Sequence, residues 1–256
     1  MKSKLVKAVV LLCILGVLGG LCLDSAYAKD QITIVIVGDS TAATYNPARA
    51  PLQGWGAYLG AYFKDTVVVK NYAAPTRSSK SYIEEGFFDQ ALNELGAGDY
   101  MFIQFGQYDG VKDDPKRYTE PFGSFKEYLA KYVEAARAKS AYPVLITPVE
   151  RWSFNKDGTI NPTHGDYPDA IREVSWEMRV PLIDLTAKTQ LYWEYQGPYD
   201  TQSMFMYVPP NIYSAYPNGV SDSSLLREYG AQVVADMIVG WIRETAHPLA
   251  RHLSWL

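Results

Sequence analysis

The sequence predicts an α/β protein, a three-layer α/β/α sandwich built on about five parallel strands. Three observations carry that reading. Five short runs rich in β-branched residues recur along the chain, several apolar without alternation, as expected of strands covered on both faces. Each is followed by a longer stretch with helical spacing, the rhythm of strand–crossover–strand units. Finally, 48% of the 256 residues are hydrophobic, enough to bury a sizeable core in one domain.

The strands are expected at Ile32–Val37, Thr66–Lys70, Tyr100–Phe105, Pro143–Thr147 and Val180–Leu185. Helical segments are expected near Trp55–Phe63, Ser81–Leu95, Phe122–Lys139 and Tyr167–Met178. A last helix runs from about Glu228 to Glu244, where Val233, Val234, Met237, Ile238, Trp241 and Ile242 make one apolar stripe. One stretch breaks the rhythm. From roughly Gln190 to Ser224 no period emerges, yet Tyr192, Trp193, Tyr195, Tyr199, Phe205, Tyr207, Tyr213 and Tyr216 crowd into it. Loops longer than about 12–15 residues are uncommon unless functional. Two readings stand: a surface loop with a small aromatic core of its own, or a wall of flat, polar-tipped rings against a substrate.

Residues 1–28 read as an export signal. Lys2, Lys4 and Lys7 precede the apolar run Ala8–Leu23, and Ala26-Tyr27-Ala28 supplies the small-x-small cleavage pattern. An uncleaved membrane anchor is the competing reading, since the run is nearly long enough to span. A lipid-anchor reading fails because Leu21, not a small residue, precedes Cys22. Removing 1–28 takes three lysines, one aspartate and both cysteines, leaving one domain, 29–256, with 21 basic and 27 acidic residues. A secreted, extracellular product follows, with no membrane contact after processing and no cysteine chemistry. Net acidity also excludes a protein built to neutralise nucleic-acid phosphates.

In an open parallel sheet, ligands bind beyond the carboxyl ends of the strands. Four features fall there. The first strand ends in Gly38-Asp39-Ser40-Thr41, the second in Asn71-Tyr72-Ala73-Ala74-Pro75-Thr76-Arg77-Ser78-Ser79, the third in Phe105-Gly106-Gln107-Tyr108-Asp109-Gly110. The last helix is preceded by Asp222-Ser223-Ser224-Leu225 and opens at Tyr229-Gly230-Ala231. In order and spacing these resemble the four blocks of the SGNH (GDSL-like) hydrolases, and most of all the rhamnogalacturonan acetylesterase branch. The likeness extends to Arg117-Tyr118-Thr119-Glu120-Pro121-Phe122-Gly123 and His164-Gly165-Asp166-Tyr167-Pro168. It implies a flavodoxin-like sandwich and, in active relatives, removal of acetyl groups from pectic or other plant polysaccharides without a cofactor or metal. The implied partner is a plant cell-wall type polysaccharide or an acetylated oligosaccharide.

An esterase of this type needs a serine nucleophile, a histidine base, and a carboxylate that orients the base. It also needs oxyanion donors from the serine N–H, a second-block glycine N–H and a third-block asparagine. On the resemblance, Ser40 holds the nucleophile position and Asp222, eight residues before Gly230, the acid position. Leu225 stands where the histidine belongs, Tyr108 where the asparagine belongs, and Thr76 where the glycine belongs. These substitutions are unequal. Thr76 keeps a backbone N–H, and its cost depends on whether the position demands a glycine conformation. Loss of one oxyanion donor typically costs about 10²–10³ in rate. Leucine cannot take a proton at all, and loss of a triad base can cost on the order of 10⁶.

Three histidines exist to replace it. His247 lies 17 residues beyond Gly230, roughly 25 Å along the last helix and away from the active edge, with His252 beyond it. His164 leaves the fourth strand at the correct edge and is the candidate substitute base, against a structural role. No metal motif, P-loop or histidine cluster is present. Asp109, Asp222 and Glu150 offer a carboxylate pair only if they are not simply solvated. Asp39, Arg77, Tyr108, Trp193 and Tyr207 are expected against a bound sugar, with Arg77 alternatively a structural arginine. The sequence thus leaves three alternatives: a catalytically silent or very weak polysaccharide binder, a serine O-acetylesterase using Ser40 with another base, or an inert scaffold.

Overall fold

The computed structural model describes residues 31–254. The expected export signal at 1–28 lies outside the described residues. Strands β1 (Ile32–Gly38), β2 (Val67–Asn71), β3 (Tyr100–Gln104), β4 (Tyr142–Ile146) and β5 (Leu182–Ile183) form one sheet in the order β2-β1-β3-β4-β5. All four pairings are parallel. Successive side chains on a strand point to opposite faces, and here both faces are buried. Ile34 and Ile36 of β1 pack into one layer while Val35 and Val37 pack into the other. In β3, Phe102 faces the first layer, and Met101 and Ile103 the second. That two-sided burial is why these strands read as unbroken apolar runs.

Helices α1 (Ser79–Glu84), α2 (Phe87–Asn93), α3 (Lys126–Ala138) and α4 (Tyr167–Met178) cover one face. Helices α5 (Leu185–Gln202) and α6 (Glu228–Glu244) cover the other, with Leu185, Trp193, Val234, Ile238 and Ile242 in its core. Helices α4 and α6 occupy the spans that their periodicity predicts. The expected helix over 55–63 is instead two 3₁₀ turns, Trp55–Ala57 and Leu59–Tyr62. Gly56 serves close packing rather than helix formation, since a Cβ there would meet the Ala42 carbonyl oxygen at 2.5 Å. The expected helix over 81–95 is split into α1 and α2 at Gly86, whose φ of 81° no helix accommodates.

The largest correction concerns 190–224, which is not a loop. It comprises most of α5, then an antiparallel hairpin of β6 (Phe205–Val208) and β7 (Val220–Leu226). The helical stripe is hidden in the sequence because α5 bends at Gly197, with φ 76°, ahead of Pro198. Its aromatics divide accordingly. Trp193 is 0% exposed and packs edge-on against Phe205, whereas Tyr195 is 84% exposed. Neither the private aromatic core nor the continuous substrate wall describes the segment. In the hairpin, Phe205 pairs with Leu226 and Met206 with Asp222, so Ser223, Ser224 and Leu225 loop out of the ladder. Among the described residues, no helix is long and apolar enough to cross a membrane.

Candidate functional site

Because the sheet is parallel, the segments leaving β1, β2, β3 and β4 gather at one edge. The turn after β1 is held from within. Asp39 Oδ1 accepts from the Thr41 N–H and hydroxyl, both at 2.9 Å, and from Gln104 Nε2 at 3.3 Å. The Asp39 carbonyl accepts from the N–H groups of Ala42 and Ala43, and Tyr45 donates its hydroxyl to the Ser40 carbonyl at 3.1 Å. Ser40 is therefore fixed at the crest of a tight turn, and only 2% of its surface is exposed.

Three of the sequence-predicted residues meet there. The Thr76 N–H donates to Ser40 Oγ at 2.9 Å, and the Tyr108 hydroxyl lies 2.8 Å from the same oxygen. Thr76 achieves this with φ 67°, the left-handed region that a β-branched residue occupies only under strain. The position thus asks for a glycine conformation while keeping the backbone donor. Tyr108 is half-buried with its hydroxyl turned toward Ser40, and the Arg117 guanidinium lies 5.9 Å from its ring centroid. Burial pushes the Tyr108 phenol above its ordinary value, outweighing hydrogen bonds from Ser40 and the Gln107 amide that favour ionisation. Tyr108 is therefore a neutral hydroxyl beside Ser40, unable to act as a proton acceptor.

Asp222 and Leu225 sit at the looped-out part of β7. Asp222 Oδ1 accepts from the Ser224 N–H at 2.7 Å, the Ser224 hydroxyl at 2.8 Å and the Leu225 N–H at 2.9 Å. Its hydrogen bonds thus answer donors of its own bulge. The bulge is pinned outside by the Trp152 N–H, which donates to the Ser223 carbonyl at 2.9 Å. Leu225 packs with the apolar cluster of Ala43, Tyr45, Leu52 and Met206. Tyr207 stands beside the bulge, edge-on to Trp152 with ring centroids 5.1 Å apart.

Other expectations do not hold. His164 does not hydrogen-bond to Ser40; its Nε2–H donates to the Val149 carbonyl at 2.8 Å, and burial pulls its pKa down. Asp39 is fully buried and cannot touch a sugar, and burial raises its carboxyl to about 6. Trp193 spends its polar tip on the Glu150 carbonyl at 3.0 Å, deep in the core. Arg77 serves its own surroundings as the structural alternative expects: it bonds Glu85 and the Pro75 carbonyl and lies 4.9 Å from the Phe87 ring centroid. Asp109 and Glu150 are buried rather than solvated. Asp109 accepts from Ser79, Gly106 and Thr119, and burial raises it to about 6. Glu150 accepts from Arg151, Thr163 and Gln190. Both tie loops together.

Sequence reasoning passed over Tyr45, Gln104, Arg151 and Trp152. The last two follow β4, so the strand-end rule that found Ser40 and Tyr108 would have found them as well. The Gly106–Val111 loop carrying Tyr108 also walls a cleft of roughly 470 Å³, lined among others by Gln107, Lys112, Glu120, Arg151 and His164.

A parallel five-stranded sheet with Ser40 on the first turn and partners from the next two strand ends defines a class. The family model of the GDSL-like lipase/acylhydrolases matches residues 36–205, and the chain belongs to that family. Within it, the chain is 37% identical over 225 residues to the rhamnogalacturonan acetylesterase RhgT of Bacillus subtilis, covering 88% of this chain and 95% of that one. It is 41% identical over 235 residues to the rhamnogalacturonan acetylesterase of Emericella nidulans, covering 84% of each. Among solved structures, Bacillus subtilis YxiM is similar with a TM-score of 0.74 at 25% identity, over 85% of this chain and 58% of that chain. The acetylxylan esterase Axe2 of Geobacillus stearothermophilus shares the fold, with a TM-score of 0.56 at 14% identity over 84% and 95% of the two chains.

Proposed function

We propose that this chain is an exported relative of the carbohydrate acetylesterases that binds acetylated polysaccharide of the plant cell-wall type without hydrolysing it. The observation that carries the reading is the company Ser40 Oγ keeps. Its hydrogen-bond partners are the Thr76 N–H and the Tyr108 hydroxyl, neither able to take its proton at neutral pH. A serine hydroxyl attacks an ester only as its proton leaves to a base. The family's base position carries Leu225, set among apolar side chains, and the Asp222 carboxylate is bonded to its own bulge. The Tyr108 hydroxyl, 2.8 Å from Ser40 Oγ, would have to give way to an incoming ester. An esterase working through His164 is disfavoured, because that ring is bonded to Val149. Polysaccharide binding is supported by the acetylesterase relatives and by the polar cleft that shares the Tyr108 loop. Export is supported by the pattern of residues 1–28.

The test is hydrolysis of p-nitrophenyl acetate and acetylated pectin by the purified protein beside Ser40→Ala. The two are expected to be indistinguishable. Clear turnover that disappears in Ser40→Ala overturns the non-hydrolytic reading.

A further inference from the structure

The cleft behind the Tyr108 loop holds polar atoms that the protein leaves unanswered. Gln107 is 4% exposed, and its Oε1 is buried without a hydrogen-bond partner; the buried Arg151 Nε also lacks one. The two residues are adjacent, since Arg151 Nη2 donates to the Gln107 carbonyl at 3.2 Å. Buried polar groups are ordinarily paired, and each exception calls for a partner. Here the exceptions are complementary: one is an acceptor, the other a donor. A carboxylate would satisfy only the arginine. A hydroxyl donates and accepts through a single atom, and so can pair with either kind.

The rest of the lining agrees. Lys112, Arg151 and Glu120 all line the cleft, which so carries charges of both signs, suited to a ligand covered in hydroxyls rather than to a charged or apolar one. Its roughly 470 Å³ lies within the range of about 300–1,000 Å³ typical of small-ligand sites. We propose that this cleft is where the chain holds its sugar, with sugar hydroxyls hydrogen-bonded by the side chains of Gln107 and Arg151. The proposal rests on the carbohydrate-binding reading above and moves the point of recognition from Ser40 to the β3 and β4 loops.

Titration calorimetry with oligosaccharides derived from rhamnogalacturonan and from xylan tests it. Wild-type protein is expected to bind at least one of them. Gln107→Met and Arg151→Met should each weaken Kd about tenfold or more, through loss of one hydrogen bond apiece. Each loses an unpaired buried atom together with one made bond, to Tyr108 for Gln107 and to the Gln107 carbonyl for Arg151, so both should keep a cooperative melt near the wild-type midpoint. Arg151→Lys keeps the charge but loses Nε, and should weaken binding similarly. Trp152→Ala, at the bulge, should leave Kd within about threefold. Binding by wild type that survives both methionine variants overturns the cleft assignment while sparing the carbohydrate reading, all the more so if Trp152→Ala abolishes it. No binding of either probe by wild type overturns the carbohydrate reading, and the cleft assignment with it.

Discussion

The Ser40 corner and the Gln107–Arg151 cleft lie on two sides of one loop, yet Ser40 and the cleft side chains are treated in opposite ways, the buried Asp39 Oδ2 being the one atom of the Ser40 turn that also lacks a partner. At the corner, Ser40 Oγ is answered by Thr76 and Tyr108, its carbonyl by Tyr45, and Asp222 by its own bulge. In the cleft, two neighbouring residues carry a buried acceptor and a buried donor with no partner. The difference separates two kinds of readiness. A corner whose hydrogen bonds close on themselves must break them to admit a substrate. A cleft with open hydrogen bonds gains them when a ligand arrives.

The largest expected effect comes from reopening the Ser40 corner. Leu225→His, Tyr108→Asn and Thr76→Gly together supply a base and a side-chain oxyanion donor and relieve the strain under the donor that Thr76 already provides, and should raise kcat/KM on p-nitrophenyl acetate by on the order of 10³ or more, in a manner abolished by Ser40→Ala. No gain would mean that the corner differs from working esterases in more than these groups. Next in size is Asp109→Ala. It removes the acceptor that holds Ser79, Gly106 and Thr119, and should cost about 3 kcal/mol or more in urea denaturation.

Asp39 sharpens the comparison through pH. Its folded pKa, about 6, lies above its ordinary 3.8, so the folded protein binds that proton more tightly than the unfolded chain. The stability it contributes is fully present below about pH 4 and is lost as pH rises to about 6. Wild type should therefore lose roughly 2–3 kcal/mol more than Asp39→Asn between pH 4 and pH 7, measured by denaturant midpoints. The smallest effect is Thr76→Gly alone. Relief of its left-handed strain should stabilise the protein by about 0.5–1 kcal/mol without creating activity.

The sheet was legible because burial on both faces leaves an unmistakable trace: Ile34 and Val35 must both be apolar though they point oppositely. Helices α4 and α6 were legible because each keeps one stripe from end to end. Helix α5 was not, for Gly197 rotates the stripe midway, and β7 was not, for Val220–Leu226 is only half-buried and largely polar. At the site, the convergence of Ser40, Thr76 and Tyr108 follows from strand order and could be anticipated. Which way Tyr108 turns could not, since a tyrosine fits either direction. Trp193 was misplaced for a related reason. Its N–H found a carbonyl inside the core, so a ring with a polar tip needed no surface at all.

The three residues looped out of β7 give position 225 an unusual independence. Ser223, Ser224 and Leu225 carry no ladder pairing, and Asp222 together with the Trp152 N–H holds the loop by contacts that do not depend on the side chain at 225. Position 225 is therefore mounted like a fitting on a frame: its side chain meets the apolar cluster of Ala43, Leu52 and Met206, but the backbone that carries it is held by other residues. A frame of this kind lets the side chain at one position change while the bulge that presents it keeps its shape.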